Sequence, residues 1–564
     1  MNRMRLLAII LTPVLAACGA AETGTTETLN QYLSRLEAEN GVRFRGISHS
    51  RGAYVTPMCY TRTDDGDGTL HNPCYSCHTR GKTPNFYNDA RLQKAYSFPE
   101  PLRDNPFTNL LEDHSAEVMR ISDQAVLETV REDNYRDSAG RIRLAQELPE
   151  QWKGYRPDCH FNFDEQGFDR DPEGRMTGWR AFRYYPFPGT FWPTNGSADD
   201  VLIRLPEAFR ENTAGQPDRE IYRLNLAIVE ALVKQKDIRL EVPANEVDYG
   251  IDLNNDGQLA TADRVAFRFE PPLRYAGRAG LLLGQGAVHL APGLFPEGTE
   301  FLHSVRYLDW DERAAEVRLA PRMKELRYAR KTDWMNYSEL ERAARAEMYE
   351  AEVNDLSQGV LAVFRGTFEE GLNTDSGWVF QGFIEDRQGW LRPQTEEETL
   401  YCMGCHSHLG ATTDSVFAFP RKFEGIAEDD PLQGWKHWSQ KGLTGVPEPR
   451  VAYVGVGERH EYSFYLRNNH SGNEFRNNDE VKQKFFDAAG AIRNDRLDAL
   501  HADISLLLLP GRQRALELDK AYRVRVREQS YIRGREANVH AVETLWRRVE
   551  PGQATGIDTP IVRE

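Results

Sequence analysis

The chain has 564 residues, a formal net charge of −16, 40% hydrophobic residues and 10% aromatics. This is the composition of a globular chain, not a disordered one, and its length suffices for two or three domains. The acidic balance argues against nucleic acid as a partner and permits a basic protein partner.

The N-terminus reads as an export signal over residues 1–18. Arg3 and Arg5 precede a mostly apolar stretch, residues 6–14, too short to span a bilayer as a helix. Leu15-Ala16-Ala17-Cys18 then resembles a bacterial lipobox, in which Cys18 becomes the first mature residue and carries lipid. The competing reading is an ordinary signal peptide with a cysteine nearby. Gly19 favours the outer membrane over inner-membrane retention. Residues 19–40 begin the mature chain with a small, polar tether. No later segment is long and apolar enough to span a membrane, so the lipid is the expected anchor.

Residues 41–150 are rich in Asp, Asn, Gly and Pro and hold Cys74-Tyr75-Ser76-Cys77-His78. Residues 61–72 read as a loop, and a helix is expected over 116–132. Residues 151–330 look mixed. Strands are expected at 182–185, 201–205, 238–242 and 265–269, with an amphipathic helix over 218–236. Residues 331–564 open on a helix whose Ser338 and Glu341 fit a capping box. They hold a second Cys402-Met403-Gly404-Cys405-His406 and end in helical segments, clearest at 512–527. The expected fold class is α+β, with loop-rich, helical regions flanking a strand-containing centre.

Cys-x-x-Cys-His is the spacing of c-type haem attachment. Each cysteine sulfur bonds one haem vinyl group, and the histidine lies under the iron. Two haem c groups are therefore expected, on Cys74, Cys77 and His78 and on Cys402, Cys405 and His406. The alternative is a zinc site built from the two Cys-x-x-Cys pairs. Of seven cysteines, lipid and haem leave Cys59 and Cys159. In an oxidising periplasm this pair is expected to form a disulfide, the alternatives being two buried thiols or one thiolate iron ligand.

The sixth iron positions are less defined. His289 and His303, in apolar surroundings, are the preferred distal ligands. His114, His160, His437, His460, His470, Met58 and Met335 remain open, and His408 is placed to face the other haem. Arg421 and Lys422 are candidates to pair with haem propionates. The aromatic run around Trp179, Phe182, Tyr184, Tyr185, Phe187, Phe191 and Trp192 reads mainly as core.

Asp252, Asn254, Asp256, Gln258 and Asp263 match an EF-hand-type calcium loop, with Gly257 at its sixth position and Asp in place of the final Glu. One structural calcium ion is expected, against a metal-free turn. Two weaker acidic stretches, residues 64–68 and 164–171, compete.

The two motifs and the lipobox together resemble a multihaem, here dihaem, c-type cytochrome lipoprotein of a bacterial envelope. The resemblance implies an electron carrier in the periplasm or outer membrane, served by redox partner proteins or quinone-linked donors. The alternative is a dihaem peroxidase or oxygenase with one open iron position. Dihaem cytochrome c peroxidases also combine two such motifs with calcium, but their motifs lie closer together, whereas the larger dihaem rubber oxygenases show long separations. A third reading is a calcium-stabilised binding lipoprotein that keeps haem for structure.

Overall fold

A computed structural model of the protein describes residues 27–44, 55–64, 70–189, 192–270, 273–353, 364–407, 409–424, 432, 434–469 and 478–564. Cys18 and the rest of the export segment, Phe191, His408 and His470 lie outside the described residues, as do residues 65–68 of the first acidic stretch. Among the described residues no helix is long and apolar enough to cross a membrane.

The fold is α+β, as its sequence leads one to expect, around one antiparallel sheet of ten strands. From one edge the order is Arg365–Thr367, Gly371–Asn373, Trp378–Glu385, Glu316–Lys331, Glu300–Asp311, Val201–Arg204, Met176–Phe182 and Phe168–Arg170. Leu391–Pro393 also pairs with Trp378–Glu385, and Ala198–Asp199 with Glu300–Asp311.

Strand periodicity divides this sheet into two faces. In the central hairpin His303 lies opposite Arg327, and Phe301 opposite Ala329, which in turn lies opposite Phe380. These residues share one face and, with Val305 and Glu325, line a single large cavity. On the other face Leu202, Leu302, Leu326 and Phe383 pack with Trp152, Tyr155 and Trp179 into a separate buried core. The sheet is therefore apolar on both sides, and the cavity is one of its two covered faces.

The helix Arg219–Lys234 covers part of the cavity side, burying Ile221, Leu224, Ile228 and Leu232. Asp218 caps it, accepting from the backbone N–H groups of Glu220 and Ile221. Elsewhere local competition moves the expected boundaries. The helix expected over 116–132 is two, Ser115–Met119 and Asp123–Arg131, because Ser122 caps the second by accepting from Ala125 N at 3.1 Å. The capping box on Tyr337–Val353 is Asn336 with Glu339, two residues before the expected Ser338 and Glu341.

Ile238–Asn245 pairs with Thr261–Val265, earlier than the strand expected at 265–269. The register Ile238↔Val265 ends the ladder there. Residues 61–72 are not wholly loop, since Thr63–Asp64 pairs with Leu70–His71. The strand expected at 182–185 is Met176–Phe182 instead.

The C-terminal tail returns to the first motif. Trp546 N donates to Tyr60 O, Tyr96 N to Gln553 O, and Arg563 N to Thr79 Oγ1. Gln93 Nε2 bridges His78 O and Ile561 O. Residues far apart in sequence thus build one wall.

Candidate functional site

Both Cys-x-x-Cys-His motifs open into the same cavity, about 780 Å³ in volume. Small-molecule sites span roughly 300–1,000 Å³, so this space is large. Cys74–Cys77 is a single helical turn, with His78 directly after it. The second motif ends the helix Glu396–His406. That helix was not expected from the sequence around Cys402. It starts in a capping box of Thr395 and Glu398. Glu398 also holds a buried two-pronged pair with Arg392, both N–O distances 2.8 Å, which fixes the helix to the sheet.

The segments bearing the motifs touch. Ala411 N donates to Cys77 O at 3.1 Å, and Asn85 Nδ2 donates to Leu409 O at 2.8 Å and to Thr412 O at 2.9 Å. Gly410 permits this approach, because a Cβ there would stand 2.0 Å from Thr79 O.

Both motif histidines are oriented by a hydrogen bond at Nδ1. His406 Nδ1 lies 2.9 Å from Ser415 O, and a carbonyl only accepts, so Nδ1 is the donor. His78 Nδ1 lies 2.8 Å from Asp89 Oδ2 and donates to that carboxylate. In both rings Nδ1 is thus taken up as a donor, which leaves Nε2 as the ring nitrogen available to a metal.

The two partners differ in kind. Asp89 is anionic and also accepts from Thr79 N at 2.8 Å and from Gly410 N at 3.3 Å. Ser415 O is a neutral carbonyl on a tight turn, with Thr413 and Val416 paired to each other. Asp414 and Ser415 sit at φ 50° and 61°, a left-handed pair more usual for Asn-Gly. Such backbone costs on the order of 1–3 kcal/mol per residue and persists only when its surroundings impose it. Here Asp414 pairs with buried Lys331 at 2.6 Å and accepts from Phe295 N at 2.9 Å, while Ser415 Oγ bonds Ser376 Oγ.

His303 lines the cavity on the side of His406. Burial holds both imidazoles near 4, with Arg327 opposing protonation of each, so both are neutral. His289 is elsewhere: its ring stacks on Trp334 at 5.1 Å, outside the cavity lining. The other histidine candidates have different surroundings. His114 bonds Asn109 O, His437 bridges Asp200 and Ser439, and His460 stacks on His501. Among the described residues His78, His303 and His406 are the histidines lining the cavity, and Met58 lines it too, whereas Met335 does not.

The sequence offered no signal for several polar groups here. Arg327 and Arg535 both bond the Glu325 carboxylate, at 2.9 and 2.7 Å. Although burial opposes it, these two guanidinium groups hold Glu325 down at about 2. Two cations on one anion make that end of the cavity positive. Arg421 lines the cavity, but its guanidinium is engaged by Glu461 and the carbonyls of Tyr185 and Pro186, and Lys422 is buried against Glu230. Burial raises the Glu536 carboxyl to about 8, and raises Asp199 well above the carboxylate range. Both line the cavity as protonated acids.

Cys59 and Cys159 are both free thiols, so the expected disulfide is absent. Cys59 lies on the cavity wall, near the motif cysteines, whereas Cys159 is fully buried in the core on the opposite face of the sheet. The sheet itself separates them. The zinc alternative also fails on geometry. Among the described residues the motif cysteines and histidines form no cluster of three mutually close ligand atoms, which a tetrahedral site needs.

The loop from Asp252 folds on itself. Asp252 accepts from Asp256 N at 3.2 Å and Gly257 N at 3.1 Å, and Asp256 Oδ1 accepts from Gln258 N at 2.9 Å. Glu246 braces it from behind, through Leu253 N, Asn254 N and Ala260 N. Asp263 lies exposed on the Thr261–Val265 strand and does not converge with Asp252 and Asp256 into one three-carboxylate cluster. The strand pairing holds it there. In the acidic stretch 164–171, Asp164 is paired with Arg170 and Arg219, Asp171 pairs with Arg175, and Asp169 accepts from His160 N, Asn162 N and Thr177, so these carboxylates already have partners.

Residues 48–503 match a family model described as "-like lipoprotein". An uncharacterized lipoprotein of Aquifex aeolicus (strain VF5) is 31% identical over 578 residues, covering 93% of this chain and 90% of its own length. No solved structure matches. Most of the chain, including both motifs, thus lies within the match, and the protein belongs to this lipoprotein family.

Proposed function

We propose that the protein is a lipid-anchored dihaem c-type cytochrome of the bacterial envelope, in which two unlike haems share one cavity and pass electrons between them. One observation carries this reading. Each motif histidine is locked with Nδ1 donating and Nε2 open, and both face the same space. Covalent haem would supply one-electron iron chemistry at Cys74, Cys77 and His78 and at Cys402, Cys405 and His406. His303 is the distal candidate for the second site. Arg327 and Arg535 supply positive charge for propionates. The contact between the Cys77 carbonyl and Ala411 N keeps the two sites close enough for exchange. Cys18 carries the anchor, and a calcium ion held by Asp252, Asn254, Asp256 and the Gln258 carbonyl braces the loop.

A second reading, turnover of peroxide or oxygen, is favoured by a separate observation. Two carboxylic acids, Asp199 and Glu536, line the cavity and are able to deliver protons. Optical and EPR spectra of the matured protein separate the two. Two low-spin haems, with His303→Ala turning one high-spin, fit the carrier. A native high-spin haem that binds peroxide fits the enzyme. Matured protein without covalent haem refutes both.

A further inference from the structure

Glu448, His460 and His501 form a cluster that the cavity does not use; none of the three lines it. Glu448 precedes the strand Arg450–Tyr453, His460 ends the strand Gly457–His460, and His501 lies in the last turn of the helix Asn494–Ala502. Strand pairing sets Arg450 opposite His460, and Glu448 N donates to His501 O at 3.1 Å, so three elements meet at one point.

The two imidazoles stack, with centroids 3.8 Å apart and planes 13° from parallel. Glu448 Oε2 stands 3.9 Å from His460 Nδ1 and 3.9 Å from His501 Nε2. Those distances are too long for hydrogen bonds. They suit atoms sharing an ion, since two ligands each about 2.0–2.1 Å from one metal lie at most about 4.2 Å apart.

Two further observations point the same way. His460 Nδ1 is buried and has no hydrogen-bond partner. The Glu448 side chain is fully buried, and its ion-pair partners among the described residues are these two histidines, with no lysine or arginine. Its oxygens are oriented by Ser463, whose N–H and Oγ both donate to it. The imidazoles are partly exposed, which leaves a path for an ion and room for water as a further ligand.

We propose that Glu448 Oε2, His460 Nδ1 and His501 Nε2 bind one divalent late-transition-metal ion of the zinc class, pinning the Arg450–His460 hairpin to the Asn494–Ala502 helix. Two imidazole nitrogens and one carboxylate select such an ion over calcium. The site is independent of the haem reading.

The test uses detergent-solubilised, haem-loaded full chain, stripped with chelator and kept in excess calcium so that the Asp252 loop does not compete. Zinc titration by calorimetry should give one site in the native chain. His501→Ala and His460→Ala should each weaken it at least about tenfold with haem absorption unchanged. Zinc-edge X-ray absorption should show only nitrogen and oxygen neighbours, at about 2.0–2.1 Å. Sulfur neighbours, no zinc binding by the native chain, or native-like binding in both variants would each overturn the assignment. His501 is partly exposed, so its variant should fold even if a Glu448→Gln chain does not.

Discussion

Replacing Asp89 by asparagine isolates what a carboxylate partner does to one of the two motif histidines proposed to hold haem. Asp89 Oδ2 lies 2.8 Å from His78 Nδ1, while His406 Nδ1 donates to the carbonyl of Ser415 at 2.9 Å. A hydrogen bond to a charged group is worth about 1.5–3 kcal/mol net, against about 0.5–1.5 for a neutral one. With haem bound as proposed, the carboxylate would make His78 the stronger electron donor and favour the oxidised iron. Losing about 1–1.5 kcal/mol of that preference raises the midpoint potential by about 40–65 mV for a one-electron couple.

The change also costs stability. Asp89 accepts from His78 Nδ1, Thr79 N and Gly410 N, and an amide has one accepting oxygen. One donor then faces an NH₂ group, at about 1–3 kcal/mol. Spectroelectrochemical titration of both haems reads the potential, with the His406 haem as internal reference. Two unmoved midpoints, equal shifts in both, or a fall in the first would refute a role for the Asp89 carboxylate in setting the potential.

Changing Cys18→Ser should release the protein from the membrane fraction while leaving export intact; a variant that stays membrane-bound has another anchor. Alkylating unfolded, unreduced protein should label both Cys59 and Cys159, and recovery of a peptide pair joined through them would refute the free-thiol arrangement. Chelator and Asp256→Ala should each lower the melting temperature, because calcium at about 100 times its Kd stabilises the native state by about 2.7 kcal/mol; an unchanged melting curve marks the loop as a plain turn. Burial raises the Asp519 carboxyl to about 8, above the roughly 3.9 of an unfolded chain, so the native state keeps a proton that the unfolded state has released. Its contribution is full below pH ~4 and is lost as pH rises toward 8, by at most about 1.4 kcal/mol per unit, and Asp519→Asn should flatten that slope in urea unfolding.

The sequence by itself determined what is local. Five contiguous residues make each Cys-x-x-Cys-His motif, and Asp218 followed by an apolar stripe makes the Arg219–Lys234 helix almost residue for residue. The α+β class followed from such segments. Only the tertiary structure decided what depends on strands distant in sequence. The sheet separates Cys59 from Cys159, brings His303 to the cavity and leaves His289 stacked on Trp334 outside it. Both histidines sit in apolar sequence, and nothing local tells them apart; the register that sets His303 opposite Arg327 does. Asp89, Arg535 and Glu536 were illegible for the same reason. A lone polar residue has no period, and its role is fixed by the long-range packing that strips it of water and supplies its partner.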